Sequence, residues 1–408
     1  MKGRARVVFW LRFLRRLGVG AVLIYATVAL TLGGTPAAPP VWYALSVAWL
    51  GVVVVCRQSG HEKARWPEIG ATNIAGTLLA AEAALHLLAA TVGGTLLSAD
   101  LDGYRLLPGQ DYGEGLVGNR HGYPGPELPP ARTPGVVRIV ALGDSFAVGP
   151  AVPFADNYLT RLGAELPGVE VGNFGISGAG PREYRQILET DGFAVQPNLV
   201  LVSLFVGNDI TESLPRPRYL DPAQHALYRL CVRGWRLLRE SWRGDDEPAP
   251  VAPRRVGRPP LSPQTFREVE ARRLAVCLKA APPGMDKKWQ RALTDLEGIV
   301  TACRRRGVPV AVVLIPDQFQ VNDSVLTAAL AENGWDREQV DLEVPQRRLA
   351  AFFAERKVAC LDLLPAVRAA PDAYAPRDTH WNVNGNRVAA REIAVWLVRE
   401  RLVKSGSD

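Results

Sequence analysis

The chain reads as an α/β protein with a doubly wound parallel sheet, preceded by transmembrane helices. Three observations predict this. From Val136 onward, short runs rich in Val, Ile and Leu alternate with segments of helical length. Those runs are continuously apolar, which suits strands covered on both faces. Hydrophobic residues make up 48% of the 408, and their excess is gathered in the first hundred residues.

Residues 1–99 are expected to form a membrane anchor with about three spans. Met1–Leu17 carries Lys2, Arg4, Arg6, Arg12, Arg15 and Arg16, and the apolar runs Leu17–Leu32, Val41–Cys56 and Ile74–Leu97 follow. Each approaches the roughly 20 residues a helix needs to cross a bilayer. No small-residue cleavage site stands in a convincing place, so the first run reads as an anchor, not a removed signal peptide. Arg57, Lys63 and Arg65 mark the second loop as basic, whereas Gly33–Pro40 holds no charge. Basic flanks stay cytoplasmic, which places the N-terminus inside and everything after Leu97 outside. Glu82 and His86 lie four apart in the third run and read more readily as a mutually hydrogen-bonded pair than as a proton path.

Asp100–Gly135, rich in Gly and Pro, is a lead-in loop. The alternation then begins in residues 136–408. Strands are expected at Val136–Leu142, Val169–Asn173, Asn198–Phe205, Val308–Ile315 and Val358–Leu361. Helices are expected at Asn157–Leu166, Pro181–Asp191 (with Pro in its first turn), Lys288–Arg306, Val344–Arg356 and about Val383–Val403. Strands alternating with helices of this length argue a parallel sheet.

An insertion at about residues 213–286 breaks the pattern. Gly244–Pro263 is rich in proline and reads as a loop. His225–Arg243 reads as a helix with arginines on one side and Leu227, Cys231, Trp235, Leu238 and Trp242 on the other. A solvated basic face is the simpler reading, and anionic lipid or an acidic polymer the other.

The net charge of +7 fits a basic membrane flank, and no nucleic-acid-binding signature accompanies it. Of five cysteines none forms a CxxC, so neither a zinc site nor any other metal or cofactor is expected. Cys231 and Cys277 are the pair that could join outside the membrane, although buried free thiols are the preferred reading.

The chemistry is carried by four stretches. Arg138–Phe146 reads RIVALGDSF: a strand that stops at Gly143 and lifts Ser145 to the sheet edge, where open α/β sheets place ligands. Acyl transfer through serine needs a base, a group that orients it, and donors for the oxyanion. Of the three histidines beyond the anchor (His121, His225 and His380), His380 has an acid close by, in Asp378-Thr379-His380-Trp381. Gly172–Gly180, reading GNFGISGAG, offers backbone N–H groups, and Asn208 in Gly207-Asn208-Asp209 offers a neutral amide.

With these residues the chain resembles the SGNH (GDSL-type) hydrolases, esterases and acyl esterases with a flavodoxin-like fold, over about Arg138–Leu402. The resemblance implies Ser145 as nucleophile, His380 as base, Asp378 as its orienter, and Gly178 and Asn208 as oxyanion donors. Gly118–Tyr123 and Ile315–Gln318 resemble a bacterial, membrane-associated branch. Two departures stand out. The family usually writes Gly-x-Asn-Asp where Gly207 directly precedes Asn208, and D-x-x-H where this chain has D-x-H. The D-x-H-W form resembles alginate-acetylation relatives of the same superfamily. The expected activity is therefore a membrane-anchored serine esterase, active outside the cytoplasmic membrane on short O-acyl esters of envelope or secreted carbohydrate. An O-acyltransferase to a polysaccharide hydroxyl, working with envelope polysaccharide machinery, is the alternative. A non-catalytic polymer-binding assembly module is a third reading.

Overall fold

The computed structural model describes residues 104–106, 108–211, 259–370 and 372–403. The expected membrane spans, the Glu82–His86 pair, His225, Cys231 and the arginine-striped helix lie outside the described residues. Among those that are described, no helix is long and apolar enough to cross a membrane.

The chain order is β1 (Val137–Leu142), α1 (Ser145–Val148), α2 (Tyr158–Glu165), β2 (Val169–Asn173), α3 (Pro181–Thr190) and β3 (Leu199–Phe205). After the insertion come α4 (Pro263–Leu274), α5 (Met285–Arg305), β4 (Val310–Ile315), α6 (Asp323–Asn333), α7 (Val344–Glu355), β5 (Ala359–Asp362), α8 (Leu364–Ala369) and α9 (Val383–Arg399). The five strands form one sheet in the order β2-β1-β3-β4-β5. Every pairing is parallel. This is the flavodoxin-like order, in which the crevice at the strands' carboxyl ends is the natural ligand site.

Alternation along each strand divides the interior into two layers. Val140, Leu142, Val200, Val202 and Leu204 pack with Tyr184 and Ile187 of α3 and with Trp289, Leu296 and Ile299 of α5. Ile139, Ala141, Leu199 and Leu201 pack on the opposite face with Leu159 and Leu162 of α2 and Ile393 and Leu397 of α9. All seven residues of β3 are buried, as befits the central strand. Each large apolar side chain so buried contributes about 1.5–3 kcal/mol.

Of the insertion, residues 259–286 are described, and they are partly helical. Pro263–Leu274 is a helix, with the Ser262 side chain capping it and Pro at its first turn. The next helix also begins before the expected Lys288, at Met285. Apolar periodicity misses α4 because its inner face carries Glu270 and Arg273, both buried. Helices α6 and α8 are likewise additions to the expected set, and α9 ends at Arg399. Cys277 is a buried free thiol. The lead-in stretch is held by two antiparallel bridges, Asp111 with Val117 and Gly118 with Pro124.

Candidate active site

Ser145 is delivered by a turn that the preceding aspartate enforces. Asp144 caps α1, its Oδ1 accepting the Phe146 N–H at 2.9 Å. Gly149, at φ 68°, ends the helix after four residues. Asn157 straps this short helix down. Its amide donates to the carbonyls of Phe146 and Ala147, while its Oδ1 accepts the Leu159 N–H and so caps α2. Burial pushes the Asp144 carboxyl above its ordinary value, against the Phe146 N–H and the His380 and Arg273 charges that pull it down.

The histidine comes from a narrow reversal just before α9. Tyr374 and Trp381 pair across it. The Ala375 N–H donates to the His380 carbonyl, and the Asn382 N–H to that of Ala373, each at 3.0 Å. Arg377 takes up the left-handed backbone at the bend, φ 47°. The bend folds Asp378 back on His380 although only Thr379 separates them. Asp378 Oδ1 lies 2.6 Å from His380 Nδ1 and also accepts the His380 N–H at 3.2 Å. A carboxylate only accepts, so Nδ1 carries the proton and Nε2 is left as the acceptor. Ser145 Oγ lies 2.8 Å from that Nε2. The shortened D-x-H spacing is therefore accommodated by local backbone, without a longer arm.

Aromatic rings fix the imidazole from behind. Phe146 lies 5.1 Å from the His380 ring and meets Trp381 edge-on at 5.0 Å. Trp381 in turn stands edge-on to Tyr158. Asn386 closes the arrangement, its Oδ1 accepting the Tyr158 N–H and its amide donating to the Trp381 carbonyl.

The two expected donor loops arrive at the same sheet edge. The Ile176 N–H is held by the Gly143 carbonyl at 3.1 Å, and the Asn173 amide donates to Ala147 at 2.7 Å. These bonds tie the loop after β2 to the serine turn; further along that loop, Gly178 is exposed and at φ 77°. Glycine adopts that backbone at no steric cost. Asn208, mostly buried, follows β3 in a turn pinned by Asp209, whose Oδ2 accepts the Phe205 N–H and the Tyr184 hydroxyl. The departure at Gly207 has a steric cause: a Cβ there would overlap the Asp317 carboxylate and the Phe205 ring.

Sequence reasoning missed Asp144, Asn157 and Asn386 as supports. Their bonds to the site are cap bonds or span long stretches of chain, and no local pattern announces them. His121 stands apart from the triad, its Nε2 facing the Arg120 guanidinium at 3.2 Å. Among the described residues no cluster of His, Cys, Asp or Glu is arranged to hold a metal ion.

Residues 279–407 match the family described as SGNH hydrolase-like domain, acetyltransferase AlgX. No curated protein matches the chain in sequence. Among solved structures, a psychrotrophic esterase EstA from Pseudoalteromonas sp. is 12% identical, with a TM-score of 0.34, 65% of this chain covered and 98% of that one. A GDSL-like lipase from Bacteroides thetaiotaomicron is 11% identical, with a TM-score of 0.33 and coverages of 65% and 87%. A two-domain esterase active on acetylated mannans is 14% identical, with a TM-score of 0.32 and coverages of 67% and 51%. The parallel five-stranded order and the match over the stretch that bears Asp378 and His380 agree on an SGNH-like fold for the described residues.

Proposed function

We propose that the protein is a serine esterase acting on short O-acyl esters, with carbohydrate as the alcohol. The observation that carries this reading is the relay Asp378–His380–Ser145, with contacts of 2.6 and 2.8 Å. Ser145 Oγ attacks the acyl carbonyl while its proton passes to His380 Nε2. Asp378 holds the tautomer and stabilises the imidazolium. Gly178 N–H, Asn208 and the Ser145 N–H are the proposed oxyanion donors. The tetrahedral intermediate collapses, and the alcohol leaves with the proton from His380. Water then attacks the acyl-serine, losing its proton to the same nitrogen. Short acyl groups suit the loops at this edge, which are built from Gly175, Ser177, Gly178 and Ala179.

A transferase reading differs only in the second half. A sugar hydroxyl replaces water and receives the acyl group. The match of residues 279–407 to a family whose description includes an acetyltransferase favours keeping it. In either case we place the site outside the cytoplasmic membrane, on the strength of the Lys/Arg distribution in residues 1–99.

The test is trapping. A short activated acyl ester should label Ser145 in the full-length protein, as read by mass spectrometry, and Ser145→Ala should remain unlabelled. Failure of the native protein to form any acyl-serine would overturn both readings. Faster acyl transfer to added oligosaccharide than to water would select the transferase.

A further inference from the structure

One buried hydroxyl touches both of the loops that supply the proposed oxyanion donors, and the reaction as written does not use it. Tyr184 is the fourth residue of α3 and is fully buried. Its hydroxyl lies 2.8 Å from Asp209 Oδ2 and 3.3 Å from the Ala179 carbonyl. Ala179 follows Gly178 in the chain, and Asp209 follows Asn208. A tyrosine hydroxyl has one proton to donate, so the two acceptors share it. Burial first, then Asp209, push this hydroxyl well above its ordinary value, and it keeps that proton.

Local bonds pass the hold on to each donor. The Ala179 N–H donates to the Ile176 carbonyl at 3.0 Å and closes a turn around Ser177 and Gly178. Gly178, at φ 77°, fills the third position of that turn, where a positive φ calls for glycine. On the other side, Asp209 Oδ2 accepts the Phe205 N–H at 2.9 Å, and the Asp209 N–H donates to the Phe205 carbonyl at 3.0 Å. Asn208 is thus bracketed between the end of β3 and Asp209. Its Oδ1 is buried and accepts no bond among the described residues, so the aim of its amide depends on the turn that carries it. The anchor itself is a helix. The Tyr184 N–H donates to the Gly180 carbonyl at 2.9 Å, and the Gly180 N–H to Glu183 Oε2 at 3.0 Å. Groups carried on a helix are held more precisely than groups on loops.

We propose that the Tyr184 hydroxyl locks the Gly178 loop and the Asn208 turn to one another, so that Tyr184 is a positioning residue for both oxyanion donors. The proposal rests on reading Gly178 and Asn208 as those donors. Donors fixed in advance stabilise developing charge because they need not reorient during the reaction. Without the hydroxyl each loop keeps its internal bonds, but the spacing between the two is no longer set by a common partner.

The experiment uses the full-length protein with Tyr184→Phe, Asn208→Ala and the two combined. Removing a donor outright costs about 10²–10³ in kcat, and loosening both should cost roughly tenfold with KM unchanged. In the Asn208→Ala background Tyr184→Phe has one donor fewer to misplace, so the double variant should fall short of the product of the single losses. An unchanged kcat in Tyr184→Phe, or losses that multiply, would overturn the proposal. A second measurement keeps the hydroxyl in place. 3-Fluorotyrosine at position 184 should shift its ¹⁹F signal when a phosphonate ester is coupled to Ser145, and a fixed signal in the coupled protein would likewise overturn the lock. A third needs no reaction at Ser145. In ¹⁵N-labelled Tyr184→Phe the Gly178 N–H and the Asn208 side-chain amide signals should both be displaced from their native positions. Joint displacement in a protein that never acylates would leave the lock standing and reject the esterase. Native positions for both signals in a protein that does acylate would reject the lock alone.

Discussion

The backbone N–H of Tyr158 donates to Asn386 Oδ1 at 2.9 Å across 228 residues of sequence. Tyr158 opens α2, and Asn386 stands in the first turn of α9, immediately after the histidine loop. This bond joins the helix that follows the serine to the helix that follows the base. Both residues are buried, so neither group has water as a substitute partner.

Asn386→Ala should therefore cost both stability and rate. It strands the Tyr158 N–H and releases the Trp381 carbonyl. An unsatisfied buried group costs about 1–3 kcal/mol, which denaturant unfolding would read directly. A fall in kcat larger than the stability loss accounts for is expected too, because Trp381 adjoins His380. Unaltered stability would show that the helices are registered by packing alone.

His380→Ala should abolish turnover. Asp378→Asn keeps the shape but reverses the bond to Nδ1 and favours the wrong tautomer, so a loss of about 10⁴ in kcat is expected. Steady-state kinetics on a short ester decides this. Near-native activity would move the orienting role away from Asp378.

Asn208→Ala should lower kcat by about 10²–10³ and leave KM nearly unchanged, since the oxyanion exists only beyond the ground state. An effect confined to KM would place Asn208 in ordinary substrate binding.

A pH series on Asp209→Asn tests the buried acid beside it. Burial and the neighbouring Asp144 push the Asp209 carboxyl well above its ordinary value of 3.8. The folded state thus keeps a proton that the unfolded chain has lost. Folding then binds protons, and the native chain loses stability as pH rises above about 4. The asparagine variant has no such proton, so unfolding midpoints should show native stability falling relative to the variant as pH rises above about 4. A constant difference would mean that Asp209 is ionised in the fold.

A reporter that works only when exported should be active when fused after Asp408, the orientation proposed from the basic flanks of residues 1–99. A cytoplasmic signal there would reverse the orientation.

The strands were legible because each is a continuous apolar run, a pattern that a buried parallel sheet forces on the chain. The Asp378–His380 pair was legible because both groups fall within three residues. The contact between Ser145 and His380 was legible only through resemblance, since no spacing rule links residues 235 apart. Helix α4 was illegible for a chemical reason. Its inner face carries an acid and an arginine where periodicity looks for leucine. Asn157 looks like an ordinary helix cap in sequence and Asn386 like an ordinary first-turn residue, and their bonds to carbonyls and amides of other elements depend on tertiary packing.

The order of the relay along the chain also times the proposed reaction. Ser145 precedes its base by 235 residues, and His380 stands near the end of the fold. A polypeptide emerging from the ribosome presents the serine while the imidazole is still unmade. The nascent chain has no acceptor for the hydroxyl proton, and its serine is as inert as any surface alcohol. In the proposed mechanism acylation waits until the histidine loop has been made and α9 has docked.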